Sequence, residues 1–303
     1  MPLIKDPAAI AAVNPKGEGV RILIVDDQAV VRGAVRSALE RLDLRFVVIE
    51  ASSGEEALTI IEARQIDLLF CDIVLPGISG PDMLAKAQSG EGCRPFVVLM
   101  SATLTEEVRR IGAEIGVYEF LQKPFRMADI VCAITAYFQL QKVARVLLVD
   151  DSAVARKLMA RILGQSLFLI DLAEADCGES ALAMGRSRQF DVIFIDYNMP
   201  GINGADTAGI LMQQNPAAQI VVISAEQQSG IVRSAQYAGA FAFLKKPFRA
   251  SDVDAVLHDA FALKRPSLAR PSHAILSNEA ARRARENPAP ILSAGRFGDE
   301  GVA

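Results

Sequence analysis

Three aspartates, a serine and a lysine occur twice in this chain at nearly the same spacing. Asp26, Asp27, Asp72, Ser101 and Lys123 recur as Asp150, Asp151, Asp196, Ser224 and Lys246. The carboxylates shift by 124 residues and the last two positions by 123. Carboxylates gathered at one point raise one another's pKa unless a cation joins them. Oxygen donors of this kind, with a backbone carbonyl and water, suit Mg2+. A carboxylate nucleophile, a hydroxyl, an ammonium and a metal together suit a transferring phosphoryl group. A single Asp-Asp pair after a strand reads as a turn or a helix cap. Five positions matched twice do not.

Bringing them together requires strand ends on one sheet edge. The strand candidates of the first repeat are Arg21–Val25, Phe46–Glu50, Leu68–Cys71, Phe96–Met100 and Tyr118–Leu121. Helical stretches fall between and after them, near 29–42, 54–65, 81–89, 105–115 and 127–141. Ser53-x-x-Glu56 and Thr103-x-x-Glu106 carry capping-box signatures. Met127, Ile130, Val131, Ile134 and Phe138 form one stripe of the last helix. The second repeat gives strands near 145–149, 168–173, 191–195, 219–223 and 241–244. Near-continuous apolar strands alternating with helices predict an α/β fold with parallel sheets covered on both faces. In flavodoxin-like doubly wound order the first and third strands are adjacent, so Asp26, Asp27 and Asp72 converge where the winding reverses. Ser101 ends the fourth strand and Lys123 the fifth.

A repeat this long is a domain rather than a solenoid unit. The expected division is a loose leader at 1–19, domains at 20–142 and 143–263, and a mostly disordered basic tail at 264–303. Only Gln141 to Ala144 separates the expected helix from the next strand, so a restricted mutual geometry is expected. The tail has prolines at 266, 271, 288 and 290, and seven Lys/Arg against four acidic residues. Asn278 to Glu286 could form a short helix without an apolar face.

The 303 residues are 51% apolar with a net charge of −4, which gives no general attraction to nucleic acid or an anionic membrane. Four cysteines stand at 71, 93, 132 and 177 without C-x-x-C or zinc spacing. Cys71, in an apolar run beside Asp72, is expected to be a buried reduced thiol. No run approaches the roughly 18 apolar residues of a membrane helix. The expectation is a cytoplasmic protein with no membrane partner.

The motifs resemble those of response-regulator receiver domains over about 240 of the 303 residues. They are Val25-Asp26-Asp27, Asp72-Ile73-Val74-Leu75-Pro76-Gly77-x-x-Gly80, Met100-Ser101-Ala102 and Lys123-Pro124-Phe125. The second set is Val149-Asp150-Asp151-Ser152, Asp196-Tyr197-Asn198-Met199-Pro200-Gly201-x-x-Gly204, Ile223-Ser224-Ala225 and Lys246-Pro247-Phe248. The resemblance implies two tandem five-stranded (βα)5 receivers similar to the chemotaxis protein CheY. It implies that Asp72 and Asp196 accept phosphoryl groups from a phosphohistidine, with Mg2+ as cofactor. Asp27 and Asp151 would hold the metal directly, Asp26 and Asp150 mainly through water, and the carbonyls of Val74 and Asn198 would complete its shell. Ser101, Ser224, Lys123 and Lys246 would contact the phosphoryl oxygens. Phe120 and Phe243 match the switch aromatic but lack the hydroxyl of the tyrosine often found there. Pro124 and Pro247 are expected to follow cis peptide bonds.

No output domain is expected, and no enzyme activity beyond self-phosphotransfer and autodephosphorylation. His258, on a helix expected at the surface, and His273, in the tail, lack the bundle context of a phosphodonor. A histidine kinase or histidine phosphotransfer protein is therefore the expected donor. The expected function is phosphorelay signalling through phosphorylation-dependent binding of a downstream protein, with chemotaxis as one setting. The alternatives are a phosphate sink for a kinase and a DNA-binding regulator acting through Arg282-Arg283-x-Arg285. A truncated relative of tandem-receiver diguanylate cyclases would fit the short junction but lacks the cyclase.

Overall fold

Strands buried on both faces need apolar residues at successive positions, and each repeat supplies them. The computed structural model describes residues 19–42, 44–87, 95–225, 229–267 and 274–276. The chain forms two compact units: among the described residues the first runs to Phe138 and takes in Pro266 and Ser267, and the second begins at Gln139. The first runs β1 (Val20–Val25), α1 (Ala29–Glu40), β2 (Phe46–Ala51), α2 (Gly54–Ala63), β3 (Leu68–Asp72), α3 (Gly80–Ala87), β4 (Phe96–Ser101), α4 (Glu106–Glu114), β5 (Glu119–Gln122) and α5 (Met127–Leu140). All its strands pair in parallel, in the order β2-β1-β3-β4-β5. Alternate residues of β1 enter opposite cores. Ile22 and Ile24 pack with Leu39 and Ile134, while Leu23 and Val25 pack with Ala57 and Met83. Each such fully buried side chain contributes about 1.5–3 kcal/mol of transfer free energy.

An ion pair at the opposite end of the sheet fixes how β1 meets β3. Asp67 accepts from Arg21 N (2.8 Å), Nε (3.2 Å) and Nη2 (3.3 Å). Arg145 and Asp191 repeat this clamp in the second unit at 2.8, 3.1 and 2.8 Å. Helix starts are set by side chains. Ser53 Oγ accepts from Glu56 N as expected, but the Glu56 carboxylate turns to Ser52 N and Oγ. Thr103 does not cap α4. Ser101 Oγ donates to its carbonyl at 2.7 Å and accepts from its N at 3.2 Å, so the helix begins later, with Thr105 accepting from Val108 N.

The second unit runs β6 (Val143–Val149), α6 (Ala153–Leu163), β7 (Leu169–Ala175), α7 (Gly178–Ser187), β8 (Val192–Asp196), α8 (Gly204–Gln214), β9 (Gln219–Ser224), α9 (Ser229–Tyr237), β10 (Ala242–Lys245) and α10 (Ala250–Ala260). Five strands repeat the parallel order, β7-β6-β8-β9-β10. The expected five-stranded sheet gains a sixth member, β11 (Ile275–Leu276), antiparallel to β10. His258 is a correction. It is buried on the inner face of α10, with Nδ1 at 2.6 Å from the Asp254 carbonyl and its ring edge-on to Phe168. Burial lowers its pKa. The leader up to residue 18, His273, the expected helix at 278–286 and the Arg282-Arg283-x-Arg285 cluster lie outside the described residues. No described helix is long and apolar enough to cross a membrane.

Both acidic strands run into a glycine-built loop. Gly77 and Gly201 take φ of 76° and 79°, in the left-handed region that favours glycine. At the start of the next helix, a Cβ on Gly80 would lie 2.1 Å from the Asp72 carbonyl oxygen, and one on Gly204 would lie 2.1 Å from that of Asp196. The helix therefore sits against the backbone of the acidic residue. Gly204→Ala is expected to lower the unfolding free energy by about 1–3 kcal/mol through overpacking. Gly209→Ala, in the same helix with open space around it, is expected to raise it by about 0.5–1 kcal/mol. Urea denaturation of the two variants checks the pair, and equal changes would contradict this account of the contact.

Candidate functional site

Adjacent pairing of β1 with β3 puts three carboxylates at one sheet edge. Asp26 and Asp27 follow β1, and Asp72 ends β3. A ligand oxygen of each lies within 4.8 Å of the others, and the same holds for Asp150, Asp151 and Asp196. In both clusters the first and third residues are buried and the second is exposed. Ser101 and Ser224 end β4 and β9, buried beside the clusters.

The lysine after each fifth strand closes the cluster. Lys123 Nζ donates to Asp26 Oδ2 at 2.6 Å and to Asp72 Oδ2 at 2.7 Å. Lys246 Nζ donates to Asp150 Oδ2 and Asp196 Oδ1, both at 2.8 Å. The lysine backbones are tied to the serine strands, with Lys123 N to Ser101 O at 2.7 Å and Lys246 N to Ser224 O at 2.8 Å. The Lys123–Pro124 and Lys246–Pro247 bonds are cis. The remaining carboxylate oxygens meet backbone donors. Asp26 Oδ1 accepts from Gln28 N at 3.0 Å, Asp72 Oδ1 from Val74 N at 3.3 Å, and Asp150 Oδ1 from Ser152 N at 2.9 Å.

Burial and charge pull against each other here. Burial pushes the Asp26 carboxyl above its ordinary range against the pull of the Lys123 hydrogen bond. In the second unit it is Asp196 that burial raises, against Lys246. Burial also disfavours the charge on both lysines, yet hydrogen bonds to two aspartates hold each above its usual value. The Cys71 thiol, donating to the Asp72 carbonyl at 3.2 Å, is pushed up by burial first and then by Asp72 and Asp26. It is a free, buried thiol.

Two residues outside the sequence-derived set brace each site. Arg32 Nη1 donates to the Asp26 carbonyl at 2.7 Å and to that of Asp27 at 3.4 Å, and its Nε pairs with Glu50 at 3.0 Å. Arg156 repeats this with the Asp150 carbonyl at 2.7 Å and Glu174 at 3.4 Å. The signal was present, since both residues recur at the 124-residue offset. Phe120 and Phe243 are buried on β5 and β10. Val74 and Asn198 stand exposed at the rim, two residues past the central aspartates.

Each cluster consists of hard oxygen donors with one carboxylate open to solvent, which fits Mg2+ better than a softer metal. In the first unit Asp26, Asp27 and Asp72 would hold the ion, and in the second Asp150, Asp151 and Asp196.

The family model of the response regulator receiver domain matches residues 22–135 and 146–258. The chemotaxis protein CheY of Thermotoga maritima is 36% identical over 109 residues, 36% of this chain and 90% of that protein. The transcriptional activator protein ExaE of Pseudomonas putida is 36% identical over 101 residues, 33% of this chain and 47% of that protein. The nitrate/nitrite response regulator protein NarL of Escherichia coli is 31% identical over 122 residues, 40% of this chain and 56% of that protein. The chain thus spans about half the length of several curated relatives it matches. A solved structure of a probable two-component system response regulator/GGDEF domain protein covers 80% of this chain and 97% of its own, with a TM-score of 0.55 at 23% identity. At that identity the likeness shows the fold.

The lysine's role in the bare cluster is testable by stability. Lys246→Met leaves two buried carboxylates uncompensated, and is expected to lower the unfolding free energy at neutral pH in chelator by about 1–3 kcal/mol. Adding Asp196→Asn removes one of those charges and is expected to recover much of the loss. Chemical denaturation of the single and double variants checks this; strictly additive losses would contradict it.

Proposed function

The chain belongs to the response regulator receiver domain family, and we propose on that footing that each of its two domains takes a phosphoryl group onto an aspartate, Asp72 in the first and Asp196 in the second. One observation carries the reading. In both units a lysine bridges two buried carboxylates while a third stands exposed beside them. A carboxylate oxygen of Asp72 or Asp196 forms the new P–O bond as the P–N bond to the donor's imidazole breaks. The chemistry Mg2+ would supply when bound is neutralisation of charge on the phosphoryl oxygens. Asp27 and Asp151, with the carbonyls of Val74 and Asn198, would hold the metal, and Asp26 and Asp150 would act mainly through water. As the carboxylate becomes an acyl phosphate, its lysine exchanges a carboxylate oxygen for a phosphoryl oxygen, and Ser101 or Ser224 supplies a hydroxyl. Phe120 and Phe243 lie on the strands that deliver those lysines, which suits a switching role.

The phosphodonor is a histidine kinase or a histidine phosphotransfer protein, and the output is binding of a downstream protein. The setting is cytoplasmic, where such donors present their phosphohistidines. The domain boundaries at 20–142 and 143–263 follow the two repeats.

A small-molecule phosphodonor is expected to phosphorylate Asp72 and Asp196, and only with Mg2+ present. Intact-mass spectrometry should find two added phosphoryl groups on the native chain, one on Asp72→Asn or Asp196→Asn, and none on the double variant. Full phosphorylation of the double variant would refute the assignment.

The two acyl phosphates are expected to differ in lifetime, with Asp72 holding its group longer. Hydrolysis needs a water aligned with phosphorus, and a polar neighbour can hold it there. At the rim Asn198 offers an amide where Val74 offers hydrocarbon. Two residues past the serines stand Thr103 and Glu226, the latter outside the described residues. A tenfold ratio needs only about 1.4 kcal/mol of barrier difference. Dephosphorylation of each single Asp→Asn variant after donor removal measures it. Equal rates, or faster loss from Asp72, would overturn the expectation.

A further inference from the structure

Strands β5 and β10 each lie at one edge of their parallel sheet and face the same difficulty, a row of backbone groups open to pairing with another chain. The two units meet it differently. In the first, side chains close the β5 edge: Phe120 N donates to Glu119 Oε1 at 2.8 Å and to Ser267 Oγ at 3.3 Å. Glu119 is buried, and an inward-pointing charge on an edge strand opposes strand addition. The 123-residue offset puts Ala242 at the matching position of β10. Alanine offers neither charge nor a hydrogen-bonding side chain.

There the chain supplies a strand instead. Leu276 lies opposite Ala242 and Ile275 opposite Phe243, in antiparallel register. The Ile275 side chain packs against the core that holds Phe243, Ile220 and Val222. The ladder is two residues long and lies well beyond the end of α10 at Ala260. So short a ladder belongs to the low-stability end of local opening. We propose that Ile275–Leu276 is an intrachain guard strand, which closes the β10 edge against strand pairing by a second copy of this chain and opens without unfolding the rest of its unit.

Full-length Ile275→Pro and Leu276→Pro test this separately, because alternate N–H groups of an antiparallel strand face the partner and proline removes one. Hydrogen exchange is read at Ala242–Lys245 and at β8, and association by sedimentation over a range of concentrations. At least one variant should exchange its β10 amides tenfold or more faster than the native chain, with β8 unchanged and a larger dimer fraction. Native exchange in both variants would overturn the proposal. So would open β10 edges with native association, which denies the guarding role. Loss of protection at β8 as well would make β11 part of the unit's global stability, and that also overturns it.

Discussion

Two buried carboxylates and a third exposed one within 4.8 Å of each other repel one another unless a cation sits among them. The rest of each unit is arranged around that constraint. The strand order places β1 beside β3, so the acids are brought together by main-chain pairing rather than by side-chain reach. The clamps of Arg21 on Asp67 and Arg145 on Asp191 hold those strands in register from the opposite end. The cation comes from the far edge of the sheet, on lysines whose backbone N–H groups are pinned to the serine strands. Positive charge, hydroxyl and carboxylates thus share one rigid edge, the preorganisation that the proposed phosphoryl transfer requires.

The same arrangement explains why the helix after each acidic strand begins with glycine. The loop from Asp72 or Asp196 must turn through a left-handed residue and then bring a helix against the aspartate's own carbonyl. A methyl group there would push the aspartate off its position. Sequence motif and steric contact are one fact seen at two levels.

The repeat made the site largely legible before the structure. Strand ends carried the acids, serines and lysines because a parallel sheet allows few other places for polar residues. Arg32 and Glu50 were passed over, although they repeat at the same offset, because a basic and an acidic residue 18 apart in sequence look like ordinary surface charge. Thr103 looked like a helix cap because its spacing to Glu106 fits; Ser101 had already claimed its backbone. His258 looked exposed because the ends of an amphipathic stripe are hard to place. Strand β11 was not legible at all. Two residues have no period, and their conformation is set by the open edge they meet rather than by their own propensity.

A crystal structure with Mg2+ and beryllofluoride, which stands in for the phosphoryl group, tests the central claim most directly. The account expects beryllium on a carboxylate oxygen of both Asp72 and Asp196, with Lys123 and Lys246 contacting its fluorines and the metal on Asp27 and Asp151. Aspartates left bare at saturating reagent, with both lysines still bridging Asp26 to Asp72 and Asp150 to Asp196, would contradict it.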